Sequence, residues 1–252
     1  MGSIPAAAAQ APAPAPAIAP PKSFCAECHL VNSTPRSRTH ILDWQRSVHA
    51  KRGVGCEACH GGDAETVDPM RAHLAIKGSE DPTSMIARAN LPDTCGKCHT
   101  RSAEQFKKSR HFVILRSGQD IAAPTCSTCH GEAGATLPDA EEGKMQCAQC
   151  HGIGRSAGHP EYPPAAKLIV VQYGAARLML DGASSFIPIL SDPAQRASME
   201  LDAVRATQAL AAAAETTHTM DYDAIDGKLT VAFDRIVALI RRIMTTTTPV
   251  AR

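Results

Sequence analysis

Large aromatic side chains are scarce in this chain of 252 residues. Phe, Tyr and Trp together make up 4% of it, and Trp44 is the single tryptophan. This length is typical of one or two domains, but so few large side chains leave little from which to build a core. We therefore expect something other than the side chains to supply part of the apolar interior.

Two further absences exclude classes of partner. The 26 basic and 25 acidic residues nearly cancel to a net charge of +1, which argues against nucleic acid or an anionic membrane surface as the main partner. No run of about 20 apolar residues is present, since the best candidate, 167–190, is interrupted by Gln172, Arg177 and Asp181. We predict a soluble mature protein without a membrane span.

Cysteine occurs only inside one repeated pentapeptide, Cys-x-x-Cys-His. Its five copies use all ten cysteines of the chain, so none remains for a lipid anchor. The cysteines of the five motifs, in chain order, are Cys25 and Cys28, Cys56 and Cys59, Cys95 and Cys98, Cys126 and Cys129, and Cys147 and Cys150. The histidines that complete them are His29, His60, His99, His130 and His151.

This pentapeptide is the attachment motif of c-type haem. Its two cysteines can form thioether bonds to one edge of the porphyrin, and the histidine then comes under the ring, where it can bind the iron. A redox dithiol, a zinc site or a disulfide framework would not require a histidine after every cysteine pair. We predict five covalently bound haem c groups, which also form the missing core, and an apoprotein that is largely unfolded.

Six histidines lie outside the motifs and are candidates for the second ligand of each iron. Five haems need five of them if every iron binds two histidines, so one is spare, and His40 is our first candidate for it. Met85 and Met145 also lie near motifs, and methionine would raise the redox potential, but the supply of histidine favours histidine. The six are His40, His49, His73, His111, His159 and His218.

Some of these histidines stand in a longer pattern. The run Trp44-x-x-Ser47-x-His49 leads to Val54-Gly55-Cys56, Ser109-x-His111 precedes Pro124-Thr125-Cys126, and His218 lies in Thr217-His218-Thr219-Met220-Asp221-Tyr222. The pattern resembles multihaem c-type cytochromes of the hydroxylamine oxidoreductase and ammonia-oxidiser tetrahaem cytochrome lineage. The resemblance implies closely stacked, mostly bis-histidine haems that transfer electrons. The chain departs from that lineage in having five motifs and no Cys-x-x-Cys-Lys variant.

The chain divides into three zones. Residues 1–21 are a disordered Ala/Pro-rich tail, residues 22–160 a pentahaem-binding domain, and residues 161–252 a helical segment without cysteine that packs on the haem domain. We predict a mainly α fold with extensive loops and little β structure. Its first part is a multihaem cytochrome c domain with a haem core, and its second part is an antiparallel helical segment.

Periodicity predicts three helices in the last zone. The first runs from Ala165 to Asp181 and ends at Gly182. The second begins at Asp192-Pro193, runs to about Thr217 and has an apolar face formed by Ala197, Leu201, Val204 and Ala211. The third begins at Asp221 and has an apolar face formed by Ile225, Leu229, Phe233, Ile236, Ile240 and Ile243.

Haem attachment to this motif takes place outside the cytoplasm in bacteria, so we predict a periplasmic or extracellular protein. The first 21 residues lack the features of a signal peptide, and we expect the sequence to be the mature form. The leading function is electron transfer to transient redox partner proteins. The alternatives are an oxidoreductase acting on a small nitrogen or sulfur species, with Tyr162 or Tyr222 beside an open iron, and a homo-oligomer or extracellular cytochrome filament.

Overall fold

The structure, a computed structural model, describes residues 23–118, 123–132 and 138–247. It is mainly helical, as predicted, and no strand occurs in these three ranges. The predicted Ala/Pro-rich tail, residues 1–21, lies outside the described residues. Within the part described, no helix is both long enough and apolar enough to cross a membrane.

In the described residues of the part that contains the motifs, the structure has ten short α-helices. The longest of them has 12 residues, and loops and turns connect them. They are α1 (Phe24–Asn32), α2 (Pro35–Arg46), α3 (Val48–Lys51), α4 (Glu57–His60), α5 (Pro69–Ala72), α6 (Leu91–Gly96), α7 (Thr100–Phe106), α8 (Arg110–Ser117), α9 (Cys126–His130) and α10 (Ala140–His151).

Serine side chains start three of these helices. Ser23, Ser47 and Ser109 accept hydrogen bonds from the backbone N–H groups of Ala26, Ala50 and Phe112, at 3.2–3.3 Å. Such a cap satisfies a backbone donor that the first turn of a helix leaves unpaired. All three serines are buried, so the caps are fixed parts of the fold.

The last zone consists of three long helices: α11 (Tyr162–Phe186), α12 (Pro193–Thr216) and α13 (Tyr222–Thr247). The predicted start of α12 is confirmed, because Asp192 caps it through the Ala194 N–H and proline occupies the first turn. The predicted end of α11 at Gly182 is wrong. The helix continues past this glycine because two residues after it, Ala183 and Ile187, are buried in the core. Their burial outweighs the helix-breaking tendency of one glycine.

The three long helices run antiparallel to their chain neighbours. Near one end of the bundle Arg242 of α13 donates to Ser198 of α12 at 3.1 Å, and near the other end Ala213 of α12 packs with Ile225 and Leu229 of α13. The first half of α11 packs at that second end, since Tyr173 contacts this group.

The main apolar core of the described chain lies between these helices. The predicted apolar face of α13 is confirmed, and Ile236 is fully buried. The predicted apolar face of α12 is wrong, because Leu201 and Val204 are exposed. The buried face is formed instead by Met199, Ala206, Leu210 and Ala213. Small alanines on several faces of α12 made the sequence periodicity ambiguous.

The part with the motifs has only small apolar clusters of its own. One joins Ala26, Ile41, Trp44 and Ala50, and another joins Phe106, Leu115 and Ala123. Clusters of this size bury little apolar surface, so they can contribute only a small share of the folding free energy.

Two side-chain ion pairs join the short helices to the long ones. Lys167 of α11 pairs with Glu141 of α10, and Arg101 of α7 pairs with Glu215 of α12 at 3.2 Å. These ion pairs link the motif-bearing part of the chain to α11 and α12. The domain boundary near residue 160 stays a prediction, although it lies in the turn between α10 and α11.

Candidate haem sites

The five motifs all lie on or at the end of short helices. The first and fourth fall within α1 and α9, and the second begins at the N-cap of α4. The third spans the end of α6, and the fifth forms the end of α10. One helical turn separates the two cysteines of each motif, so both thiols and the following histidine come close together. None of the ten cysteines forms a disulfide, and each of these residues is at least partly exposed.

Each motif histidine lies beside one of the other six histidines. The ring centroids of these five pairs are separated by 5.8–6.1 Å. The pairs are His29 with His73, His60 with His40, His99 with His49, His151 with His111, and His130 with His218.

This separation fits an iron ion between the two rings of each pair. An imidazole nitrogen binds a metal ion at about 2 Å, so two such rings on opposite sides of one ion have centroids roughly 6 Å apart. In the described part of the chain, no group of three or more His, Cys, Asp or Glu side chains could hold a bare metal ion. Two histidines per site fit haem, because the porphyrin supplies the other four ligands.

Backbone carbonyls fix the orientation of three of these rings. The Nδ1 atoms of His73, His151 and His218 lie 2.7 Å, 2.9 Å and 3.1 Å from the carbonyl oxygens of residues 69, 158 and 215. A ring that donates Nδ1–H to a carbonyl keeps Nε2 unprotonated for a metal ion, and such bonds also increase its basicity.

Burial keeps several of these histidines neutral. It lowers the pKa of His49, His60, His111 and His218, and the neighbouring histidine of each site lowers these pKa values further. Neutral imidazole is the form that binds a metal ion. In addition, the buried Nδ1 of His111 has no hydrogen-bond partner in the described structure, which is costly for a buried polar atom.

Exposed apolar side chains surround the first two motifs. Phe24, Val31, Leu42, Met70 and Leu74 each expose at least 40% of their surface, although residues of these types are usually buried. Apolar surface next to an attachment motif fits contact with the apolar face of a porphyrin. Together with the small clusters of this region, it fits the prediction that haem forms the core.

His159 is the one predicted ligand without a motif histidine of its own. Its ring lies parallel to that of Tyr162 at 4.6 Å, and its Nδ1 lies 3.0 Å from Glu161 Oε1. It is 6.4 Å from His151, which also pairs with the half-buried His111. The expected spare histidine was His40, but the structure brings His40 next to His60, with Glu132 at 3.4 Å from its Nδ1.

The Ser-x-His pattern of the sequence has a structural cause. Ser47 and Ser109 cap α3 and α8, so His49 and His111 occupy the second position of their helices. Trp44 fixes the loop before the second motif by donating its Nε1–H to the Val54 carbonyl at 2.9 Å.

Sequence reasoning missed the groups that orient the ligands. Glu132 beside His40 and the carbonyl of Gly158 come from distant or irregular segments. The carbonyls of Pro69 and Glu215 could have been found, because they precede His73 and His218 by four and three residues, which is the spacing of one helical turn.

Comparisons with known proteins agree with this picture. Residues 8–61, which include the first two motifs, match the family described as Cytochrome c554 and c-prime. The C-type polyheme cytochrome OmcC of Geobacter sulfurreducens is 29% identical over 117 residues, 44% of this chain and 14% of that protein. The C-type polyheme cytochrome OmcB of the same organism is 32% identical over 125 residues, 46% of this chain and 14% of that protein.

The chain thus spans only 14% of the length of these curated relatives. No solved structure matches. The repeated motif and the similarities place the chain among the multihaem c-type cytochromes, with covalently bound haem c. The comparisons give neither the number of haems nor the hydroxylamine oxidoreductase lineage.

Proposed function

We propose that this chain transfers electrons through five covalently bound haem c groups, each held by two histidines. The observation that carries the proposal is the pairing of every motif histidine with a different non-motif histidine at 5.8–6.1 Å. The bound haem supplies reversible one-electron chemistry of its iron. The protein contributes the attachment, the axial ligands and the burial that tune the potential.

The proposed ligands follow these pairs. The cysteines of the five motifs form the thioether bonds, and the motif histidine and its partner bind the iron from its two sides. At the fifth motif we assign His111 rather than His159, because His111 is the closer to His151 and is half-buried, with its Nδ1 atom buried, whereas His159 is exposed. The exposed ring of His159 instead stacks on Tyr162. Two histidines per iron give low potentials.

Two histidine ligands on each of the five irons favour an electron carrier over an enzyme. Catalysis on a small nitrogen or sulfur species needs an open position on one iron, and the five histidine pairs leave none. Of the two tyrosines considered for that role, Tyr162 lies 5.2 Å from His151, on a site that already has two candidate ligands. Catalysis is therefore the second candidate function, because it requires an iron with only one of its two histidine ligands bound.

Location and partners follow from the haem chemistry. We propose a periplasmic or extracellular protein, since c-type haem is attached outside the cytoplasm, and redox partner proteins that bind transiently through small interfaces. The similarity to two polyheme cytochromes supports a role among other haem proteins. The closer kinship with the hydroxylamine oxidoreductase lineage and the filament alternative remain predictions.

Counting haems and their spin states tests the proposal. Mass spectrometry of the protein, expressed with a haem-attachment system, is expected to show five haems per chain. Electron paramagnetic resonance (EPR) of the oxidised protein is expected to show only low-spin iron. A high-spin haem in stoichiometric amount would favour the enzyme, and fewer than five haems would contradict the assignment of the motifs.

A further inference from the structure

Each motif lies close to the next one along the chain, through its own residues or through residues beside it. At the first junction, the hydroxyl of Ser23, which caps the helix of the first motif, lies 3.8 Å from Sγ of Cys56, the first cysteine of the second motif. The Cys25 thiol is close enough to raise the pKa of Cys56, after the larger effect of burial.

At the second junction, one methionine touches both motifs. Met85 Sδ lies 3.8 Å from Nζ of Lys97, inside the third motif, and 3.9 Å from the place that a Cβ would take on Gly61, directly after the second motif. His49, which precedes the second motif on the chain, pairs with His99 of the third.

At the third junction, the thiols of Cys95 and Cys126 lie close enough to interact, and the helix α6 that carries Cys95 packs against α9, which carries Cys126. Arg88 supports the same contact, because its guanidinium donates to the Ala123 carbonyl at 2.5 Å.

At the fourth junction, Gln146 joins the last two motifs. Its side-chain amide donates to the carbonyl of Cys129 at 2.9 Å, and it directly precedes Cys147, the first cysteine of the fifth motif.

We propose that the five haems form one unbranched path in the order of their motifs, with the first and fifth haems at its two ends. The proposal rests on the haem sites proposed above. A thioether bond holds the porphyrin edge directly at the cysteine sulfur, so motifs in contact bring haem edges into contact. Electron transfer between haem edges slows steeply with distance, and the path therefore follows these contacts.

Two ends imply two separate docking areas for redox partners. One lies at α1, with the first motif, and the other at the end of α10, with the fifth. The second, third and fourth haems then act as relays, and their ligands, including His218 from the turn before α13, lie inside the path.

Matched ligand variants of the haem-loaded full chain test the order. Methionine in place of an axial histidine raises the potential of its own haem. An electron on one iron disfavours reduction of the adjacent haem, so the apparent potentials of the direct neighbours shift as well. We compare His73→Met, at the first haem, with His218→Met, at the fourth, by redox titration monitored by EPR. His159→Met serves as the control.

The linear order predicts different numbers of affected neighbours. His73→Met is expected to shift one further haem, His218→Met two, and His159→Met none. The order is overturned if His73→Met shifts the potentials of two or more other haems. It is also overturned if His218→Met shifts only one other haem, or three or more. Five low-spin haems in the unaltered protein together with wrong neighbour numbers would reject the order alone, whereas fewer haems would reject the proposed function.

A structure of the haem-loaded protein provides the second measurement, in case a variant does not retain its haem. The expected result is that the four shortest iron–iron distances join consecutive motifs. The proposal would be overturned if two irons from non-consecutive motifs lay closer together than the irons of at least one consecutive pair.

Discussion

Ser47 and Ser109 show how single residues set a ligand in place. Each accepts a backbone hydrogen bond in the first turn of a short helix, and each is buried. The cap fixes the start of the helix and therefore the direction of the histidine two residues later. His49 and His111 thus occupy equivalent local positions although they pair with different motifs.

Replacing Ser109 by alanine is expected to destabilise the haem-loaded protein by about 1 kcal/mol, because the cap of α8 is lost. Chemical denaturation gives the change in the free energy of unfolding. Ser79→Ala is a suitable control, since that hydroxyl contacts only the neighbouring Glu80 side chain. A cost no larger than that of the control would show that the cap contributes nothing.

Removing one distal histidine is expected to open a single iron. His49→Ala takes away the partner of His99, so one of the five haems should become high-spin in the EPR spectrum while the others stay low-spin. His159→Ala, the matched control, should leave all of them low-spin. A high-spin haem in the control would move the ligand assignment at the fifth motif from His111 to His159.

How far the sequence predicts the site depends on the range of the chemistry. The cysteines and motif histidines could be recognised because haem attachment is encoded within five adjacent residues. The histidine pairs could not, because partners such as His130 and His218 are brought together only by tertiary packing. His40 and His159 show the limit: counting left one spare histidine, but only packing against His60 or Tyr162 distinguishes the two.

Among the elements, the long helices differ in how clearly the sequence marks them. Capping residues and large apolar side chains predict α13 and the start of α12. The end of α11 and the buried face of α12 depend on neighbours: Gly182 stays helical because Ala183 and Ile187 are buried, and alanines are too small to define a face. The His218 turn, Thr217–Thr219, lies between α12 and α13 as predicted and is tied to α7 through Glu215 and Arg101.

Truncating a buried leucine of α13 should cost more stability than truncating an exposed leucine of α12. Leu229→Ala removes a side chain that is 2% exposed and is expected to cost about 2–5 kcal/mol of stability. Leu201→Ala on α12, where the leucine is 59% exposed, should stay within about 0.5 kcal/mol. Denaturant titrations of both variants measure this, and equal costs would mean that Leu201 is covered in the folded protein.

At the scale of the whole molecule, the two halves have different sources of stability. The helices α11–α13 have their own apolar core, whereas the motif-bearing helices have only small clusters and several exposed apolar side chains. Burial of apolar surface is the dominant favourable term in folding. We therefore expect the first half to depend on its haems for stability, which agrees with the scarcity of aromatic residues in the sequence.

Without haem, the two halves should consequently behave differently. In protein produced without haem attachment, hydrogen exchange is expected to be fast in residues 23–151 and slow in the buried parts of α11–α13. The haem-loaded protein should protect both. Equal protection of the two halves in the haem-free chain would show that side chains alone fold the first half.

The central claim is that five histidine-ligated haems are bound to this one chain. EPR quantification of the oxidised protein, with the haem content of the same sample fixed by mass spectrometry, tests it most directly. The account predicts five haems per chain, all low-spin. Fewer than five haems, or a high-spin haem in stoichiometric amount, would contradict it.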